Sequence, residues 1–278
     1  MSLNVSKENA FKFFDAKIKS YGNGEFLVKE YDRTLRKKKP GLEKPGKDHS
    51  PPTKQPIKKA ASEVKEVRTD SLSRTRNRLI DLSITNQHEW KSFITLTFAD
   101  NVTNVTEANR IFANWVRQMR RACQKEGFEF KYMGVPEFQK RGAVHYHLFT
   151  NLTPGKSLLK LQEYRHKKMY DASYWTHGFT SAFDIALTDD QFNVGLYITK
   201  YLYKDMDDRL YGRNKILKSN NLLNPIEYDY LQTDEKYIQA LEYILDNAYD
   251  SNTKKIVPNE DVPYAVGFTQ HNFKTSLD

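Results

Sequence analysis

The side chains in this sequence that best suit chemistry are two histidines and two tyrosines. His145 and His147 stand two positions apart in an apolar run. In a β-strand both imidazoles would point to one face, as two ligands of one metal ion must. Tyr197, Lys200 and Tyr201 follow at helical spacing, so they share a helix face. A metal held by imidazoles beside tyrosine hydroxyls indicates phosphodiester transfer through a covalent phosphotyrosine.

The turn between two predicted strands decides whether a third ligand joins the histidines. In a three-residue loop, Gly142 takes the left-handed last position and Gln139 pairs with Ala143. Counting two residues outward along each strand, Glu137 then lies opposite His145 and faces the same way. A two-residue loop would shift this pairing and remove the carboxylate from the site. The predicted register therefore depends on the type of turn.

Two neutral imidazoles and one carboxylate leave open positions for water and a phosphate oxygen. Such a set, formed by Glu137, His145 and His147, suits six-coordinate Mg²⁺ or Mn²⁺, and zinc is possible from its ligand preference. The metal would act as a Lewis acid on the scissile phosphate. The alternative is an ordinary hairpin with surface or core histidines. The apolar flanks, the register and the downstream tyrosines favour the metal site.

The candidate nucleophile is the phenol of Tyr197. A phenol has a pKa of about 10, so it attacks poorly at neutral pH unless a positive charge or a metal stabilises its anion. Lys200, one helical turn away, could favour the phenolate, neutralise the phosphate or protonate the leaving oxygen, and the sequence leaves these roles open. The alternative is a helix whose tyrosines, Tyr197 and Tyr201, pack into the core while Lys200 is solvated.

The elements that must position these residues follow one another in the order β-α-β-β-α-β. Apolar periodicity predicts strands over residues 93–98, 128–138, 143–150 and 179–186, and helices over 106–125, 157–170 and 190–206, after a first helix that begins at Ala61. Thr106 is the predicted N-cap of the second helix. This order predicts an α+β fold, with an antiparallel sheet of about five strands in a split βαβ, ferredoxin-like arrangement with flanking helices.

Two extensions are predicted on either side of a central domain. Residues 61–206 would form that domain, residues 1–60 an N-terminal extension, and residues 207–278 a C-terminal extension that packs on or extends the domain. Residues 6–30 have helical and aromatic character. Half of the ten prolines lie between residues 40 and 56, which predicts an extended, basic linker. The C-terminal extension has a predicted helix around residues 238–245 and a last strand or loop around 264–269, and the sequence shows no internal repeat.

The formal net charge of +9 is concentrated in one segment. Residues 33–59 hold ten Lys or Arg and two acidic residues, a net charge of +8. This concentration favours nucleic acid as the partner. A membrane is not expected, because no amphipathic apolar face accompanies the charge and no apolar run approaches the roughly 18 residues of a membrane span. The single cysteine, Cys123, excludes an internal disulfide and fits a reducing cytoplasm.

Three blocks of the sequence, in this order, resemble the HUH endonucleases, specifically the rolling-circle replication initiators (Rep proteins) of bacterial plasmids and phages. Phe93–Phe98 is similar to the first motif of that family, Glu137 with Gly142–His147 to the second, and Tyr197–Tyr201 to the third, the YxxK type. The resemblance covers roughly residues 74–204, so residues 61–206 would be the nuclease domain. It extends to the order of the motifs, which makes it more specific than any single block.

The resemblance implies a DNA strand transferase that acts at an origin. Tyr197 would cut one strand, stay attached to the 5′ phosphate and leave a 3′ hydroxyl for a polymerase, and the strand would later be rejoined. Tyr201 is similar to the second nucleophile of some phage initiators, although a YxxKY block also occurs where only the first tyrosine acts. The chain shows no helicase domain, so a host helicase is an expected partner, and an oligomer is possible.

Recognition of double-stranded origin DNA and cleavage of a single strand would both need cations against phosphates. The side chains expected to make these contacts are the arginines of the predicted 106–125 helix and the basic residues of the turn: Arg110, Arg117, Arg120, Arg121, Lys140 and Arg141. A noncatalytic nucleic-acid-binding regulator and a single-tyrosine HUH transposase remain alternative interpretations. A conjugative relaxase is disfavoured, because its tyrosine usually lies near the amino terminus and this one follows the histidines.

Overall fold

A computed structural model describes residues 11–39, 61–164, 167–187, 194–204, 215–257 and 266–276. The strands are β1 (Phe11–Ser20), β2 (Glu25–Lys38), β3 (Ser92–Phe98), β4 (Tyr132–Phe138), β5 (Val144–Thr150), β6 (Leu159–Tyr164), β7 (Lys167–Ala172), β8 (Gly178–Asp184), β9 (Leu217–Lys218), β10 (Ile226–Tyr230), β11 (Ala248–Ile256) and β12 (Phe268–Thr275). The helices are α1 (Ala61–Thr85), α2 (Val105–Lys125), α3 (Val194–Lys204) and α4 (Glu235–Asn247), with short 3₁₀ helices at Gln87–Glu89 and Ile185–Leu187. Most of the predicted basic linker lies outside the described residues.

The chain divides into two compact units, residues 61–224 and residues 1–60 with 225–278. The larger unit contains an antiparallel sheet in the order β6-β7-β8-β3-β5-β4-β9. Its centre is a split βαβ unit: β3 leads through α2 to β4, and β5 returns as a hairpin to lie between them. The predicted α+β class with antiparallel pairing is therefore confirmed.

The number of strands was underestimated in the prediction. Where about five were expected in one sheet, the described residues form one sheet of seven strands and another of five. The predicted helix over 157–170 is wrong, because this segment forms the hairpin of β6 and β7. Leu159 and Leu161 alternate with polar residues, which is the period of a strand, and Leu161 pairs with Tyr170 of β7.

The two faces of the larger sheet are covered by different helices. Helix α2 packs against one face, where Ile94, Leu96 and Phe98 of β3 and Val144, Tyr146 and Leu148 of β5 meet Ile111, Phe112, Trp115 and Met119. Helices α1 and α3 contribute to a second cluster on the opposite face, in which Leu79, Leu82 and Ile198 pack with Phe93, Met133 and Phe149. Since strand residues alternate between faces, the two clusters use alternate positions of the same strands.

Helix α2 begins closer to β3 than the predicted cap would place it. Asn104 is the N-cap, and its side-chain oxygen accepts hydrogen bonds from the backbone N–H groups of Thr106 and Glu107 at 2.9 and 3.2 Å. Thr106, the predicted cap, lies inside the helix. Gly127 follows the last turn with φ of 84°, the left-handed conformation that commonly ends a helix. The extent of α2 therefore matches the prediction closely, while its cap does not.

The smaller unit is a five-stranded antiparallel sheet in the order β10-β1-β2-β12-β11. Helix α4 confirms the predicted helix around 238–245, and its Tyr237 and Ile244 are buried against Ala16, Ile18 and Val28. Residues 6–30 were predicted to have helical character, but their described part forms strands, because alternate apolar side chains of β1 are buried beneath α4. Residues from both predicted extensions thus share one sheet. Among the described residues, no helix has the length and apolar character needed to cross a bilayer.

Candidate metal centre and tyrosine helix

The turn between β4 and β5 has the geometry that brings the carboxylate to the histidines. The backbone N–H of Gln139 donates to the carbonyl oxygen of Ala143 at 2.9 Å, and Gly142 has φ of 88°. This left-handed value is strained for residues with a Cβ atom. Glu137 consequently pairs with His145 in the antiparallel register. The register predicted from a three-residue loop is confirmed.

Two successive rows of side chains cross the sheet on the face opposite α2. In the first row, residues from four neighbouring strands stand side by side: Glu137, His145, Thr97 and Phe179. The second row, one step further along the strands, contains Val135, His147, Thr95 and Ser181. Residues that pair directly in antiparallel strands share a face. The polar side chains of both rows therefore gather on one surface.

Glu137, His145 and His147 place their ligand-type atoms within 4.8 Å of one another. The Nε2 atom of His147 lies 2.5 Å from Oε2 of Glu137, and its Nδ1 atom lies 3.2 Å from Oγ1 of Thr95. Glu137 and His147 are buried, with 6% and 5% of their surface exposed, while His145 is half-buried. The contacts on both nitrogens fix the ring orientation of His147.

The chemistry and spacing of this group fit a divalent metal ion. Metal–ligand bonds to nitrogen or oxygen are about 2.0–2.2 Å long, so two ligands of one ion lie at most about 4.4 Å apart. The observed upper separation of 4.8 Å requires a small side-chain adjustment. Burial of a carboxylate beside imidazoles is costly unless the charge is paired or bound to a metal. Glu137, His145 and His147 could therefore bind a metal ion.

Helix α3 brings two tyrosines to this group. The ring of Tyr201 stacks on the ring of His147, with centroids 3.8 Å apart and planes inclined by 20°. The Tyr201 hydroxyl donates to the Tyr197 hydroxyl, with 3.2 Å between the oxygens. Phe93 of β3 packs against both tyrosine rings, at centroid distances of 5.0 and 5.9 Å. Ile198, fully buried against the sheet, fixes the position of the helix.

The two tyrosines differ in their electrostatic surroundings. Burial raises the pKa of Tyr201, and the hydrogen bond to Tyr197 and the nearby carboxylate of Glu137 raise this pKa further. The ammonium group of Lys200 lies 5.0 Å from the centroid of the Tyr197 ring, within the range of a cation–π contact. Tyr201 is therefore held neutral beside the carboxylate, whereas Tyr197 has a cation beside it.

The basic residues predicted to contact DNA fall in two places. The four on α2 are exposed on the helix that covers the other face of the sheet, away from the Glu–His–His group: Arg110, Arg117, Arg120 and Arg121. Lys140 is exposed at the β4–β5 turn. The Arg141 guanidinium donates to the carbonyl oxygens of Phe98 and Ala99, at 2.5 and 3.1 Å. DNA contacts by these six residues stay a prediction.

Three residues near the group have positions that local sequence patterns did not reveal. Thr95 holds the second nitrogen of His147, Phe93 packs between the tyrosines and the sheet, and Phe179 ends the row that contains His145. Each comes from β3 or β8. Only the pairing of β3 with β5 and β8 brings them there, so the signal that could have found them is the strand order of the sheet.

An antiparallel α+β sheet that bears a Glu–His–His group beside a tyrosine helix defines a class of site suited to phosphodiester chemistry. A sequence model of a replication-associated protein family, described by its ORF2 member, matches residues 91–206, which run from β3 to the end of α3. This match supports a replication initiator of the Rep type and implies DNA binding. No curated protein and no solved structure matches the chain significantly.

Proposed function

We propose that this protein is a rolling-circle replication initiator of the HUH endonuclease superfamily, which nicks one strand of origin DNA through Tyr197 and later rejoins it. The observation that carries the proposal is the contact between α3 and the Glu–His–His group. The Tyr201 ring lies on His147 and the hydroxyls of Tyr201 and Tyr197 are hydrogen-bonded. A tyrosine pair in this position has no role in the packing of α2, and it stands where a bound phosphate would meet both groups.

Glu137, His145 and His147 would hold the divalent cation, with Mg²⁺ or Mn²⁺ the ions of choice for a mixed oxygen and imidazole set. When bound, the cation supplies Lewis-acid polarisation of the scissile phosphate. Thr95 contributes by fixing the orientation of the His147 ring through its Nδ1 atom, as partners of metal-bound histidines generally do. The protein thus prepares the ligand set before DNA arrives.

In the cleavage step, the Tyr197 oxygen attacks the scissile phosphorus and forms a new P–O bond. The bond from phosphorus to the 3′ oxygen breaks, and that oxygen takes up a proton to become a free 3′ hydroxyl. The 5′ phosphate stays on Tyr197, and attack by a 3′ hydroxyl reverses the step and rejoins the strand. The phosphotyrosine conserves the energy of the phosphodiester, so rejoining needs no nucleotide cofactor.

The surroundings of the two tyrosines favour Tyr197 as the first nucleophile. Because the pKa of Tyr201 is raised, Tyr201 keeps its proton and donates a hydrogen bond to the Tyr197 oxygen. Lys200, on the other side, offsets the negative charge that Tyr197 develops as it attacks. Tyr201 acts as a second nucleophile in this proposal only after Tyr197 has left the metal group with its bound DNA.

The test is a nicking assay on supercoiled DNA of the replicon that encodes the chain, with Mn²⁺ or Mg²⁺. We expect a nicked circle and a protein–DNA adduct that survives denaturant. Tyr197→Phe should abolish the adduct while DNA binding persists, with Tyr201→Phe on the same helix as the matched variant. A replication initiator should nick the replicon at one site, which primer extension maps.

Two results would contradict the proposal in different ways. If the wild-type protein shifts DNA without cutting it under any of these conditions, the protein is a noncatalytic regulator. If Tyr201→Phe is inactive while Tyr197→Phe still forms the adduct, the assignment of the first nucleophile is wrong although the enzyme class stands.

A further inference from the structure

Phe179 is the most exposed aromatic side chain on the sheet face that carries the Glu–His–His group. It is 73% exposed, although Phe183, on the same face of the same strand, packs into the cluster beneath α3. A phenyl ring in water gains nothing from folding, since stabilisation comes from apolar area removed from water. Its position is therefore best explained by something that it contacts only when bound.

The strand register places Phe179 beside the candidate site. Phe179 pairs with Thr97 of β3, and Thr97 pairs with His145 of β5. Neighbouring strands lie about 4.8 Å apart, so the bases of Phe179 and His145 are separated by about 10 Å on one surface. A short single-stranded segment whose phosphate lies at the histidines would reach the phenyl ring.

The backbone at the start of β8 is fixed against the end of β3. A Cβ atom on Gly178 would lie 2.2 Å from the carbonyl oxygen of Thr97 and 2.4 Å from the nitrogen of Ala99. Only glycine permits this approach. The N–H of Ala99 donates to the carbonyl oxygen of His177 at 2.9 Å. The Phe179 ring is thus mounted on a rigid point although its surface is open.

A cation is fixed at the same end of β3. Arg141 donates to the carbonyl oxygens of Phe98 and Ala99 and to the side chain of Gln139, yet its own side chain stays exposed. The side chains between Phe179 and the histidines are polar. An apolar protein partner would require a contiguous apolar patch, whereas an isolated ring near a cation and hydroxyls matches a nucleotide, which has one flat apolar base and one phosphate.

We propose that Phe179 forms a nucleobase-stacking subsite for single-stranded DNA next to the scissile phosphate. The inference rests on the proposed function in so far as the stacked strand is the one that is cleaved. Stacking on a single ring is tolerant of base identity, because every base has a π face. The subsite would therefore fix the distance of the strand from the metal group and leave the sequence to other contacts.

The experiment measures binding of fluorescein-labelled oligothymidylate and of an abasic strand with the same number of phosphates. The Tyr197→Phe background prevents cleavage during the measurement. We expect the background protein to prefer oligothymidylate, and Phe179→Ala to weaken oligothymidylate binding roughly 10- to 100-fold while binding of the abasic strand is unchanged. Phe179→Tyr should restore the preference. Tyr249→Ala, which removes an aromatic side chain that is 72% exposed on the smaller sheet, is the matched control.

The inference is overturned if Phe179→Ala weakens both strands equally, or neither, relative to the Tyr249→Ala protein. Its failure is separable from that of the proposed function. A wild-type protein that forms the covalent adduct and does not use Phe179 leaves the nicking proposal standing. A protein that shows the Phe179-dependent preference but never forms the adduct has the nucleobase subsite without the proposed chemistry.

Discussion

The two faces of the seven-stranded sheet share their strands but differ in what they bury. On the α2 face, Tyr146 is fully buried, stacks on Phe112 with a centroid distance of 4.6 Å, and donates its hydroxyl to Asn109 at 2.8 Å. Burial raises the pKa of Tyr146. On the opposite face, His147 and Glu137 are almost as deeply buried, but they meet each other and the α3 tyrosines instead of an apolar helix.

The difference shows how one strand divides its work. Tyr146 stands between His145 and His147 in sequence and faces the other way, because side chains alternate along β5. The α2 face supplies apolar area and a satisfied hydroxyl, which stabilise the fold. The other face keeps ligand-type atoms close together, which costs stability unless something binds them. Substitutions on the two faces should therefore separate chemistry from folding.

The largest effect is expected from His147→Ala. The variant should bind Mn²⁺ more than about 100-fold more weakly and form no adduct, since even the loss of a residue that only supports a ligand costs 10- to 100-fold. Isothermal titration with Mn²⁺ and far-UV circular dichroism measure affinity and fold. Tyr146→Phe, one residue away on the other face, is the control and should bind Mn²⁺ normally. Equal Mn²⁺ affinity of wild type and His147→Ala would contradict the metal site.

Phe112→Ala should show the opposite behaviour. Phe112 is 4% exposed on the α2 face, so its truncation should lower the free energy of unfolding by about 3–5 kcal/mol. Urea denaturation measures this change, and the exposed Gln118→Ala substitution on the same helix should be near neutral. Mn²⁺ affinity of the folded variant should equal that of wild type. A loss of affinity without a loss of stability would show that the faces are not separate.

A smaller effect is expected from Thr95→Val, which removes the hydroxyl beside Nδ1 of His147 and keeps the shape of the side chain. Mn²⁺ affinity should fall about tenfold, with little change in the urea midpoint. Ser181→Ala, at the neighbouring position of the same row, is the matched control. If both variants bind Mn²⁺ as wild type does, Thr95 does not orient the imidazole.

Local patterns in the sequence predicted the central elements because their signals are short-range. Alternation in β5, the apolar stripe of α2 and the glycine at the β4–β5 turn all lie within a few residues of the features that they determine. The turn alone was enough to place Glu137 opposite His145. Prediction failed for residues 157–170, where two short strands were taken for one helix, and for the N-terminal strands, whose partners lie more than two hundred positions away.

What the sequence determined by itself is therefore the hairpin, its Glu–His–His set and the spacing of Tyr197, Lys200 and Tyr201, since each follows from strand or helix period and one turn. Only the tertiary structure decided that Tyr201 lies on His147, that Thr95 holds its other nitrogen, and that Phe179 joins the same surface. These contacts depend on the order of strands in the sheet and on the packing of α3. Both are settled by burial of apolar side chains that are distant in the chain, and local periodicity carries no information about them.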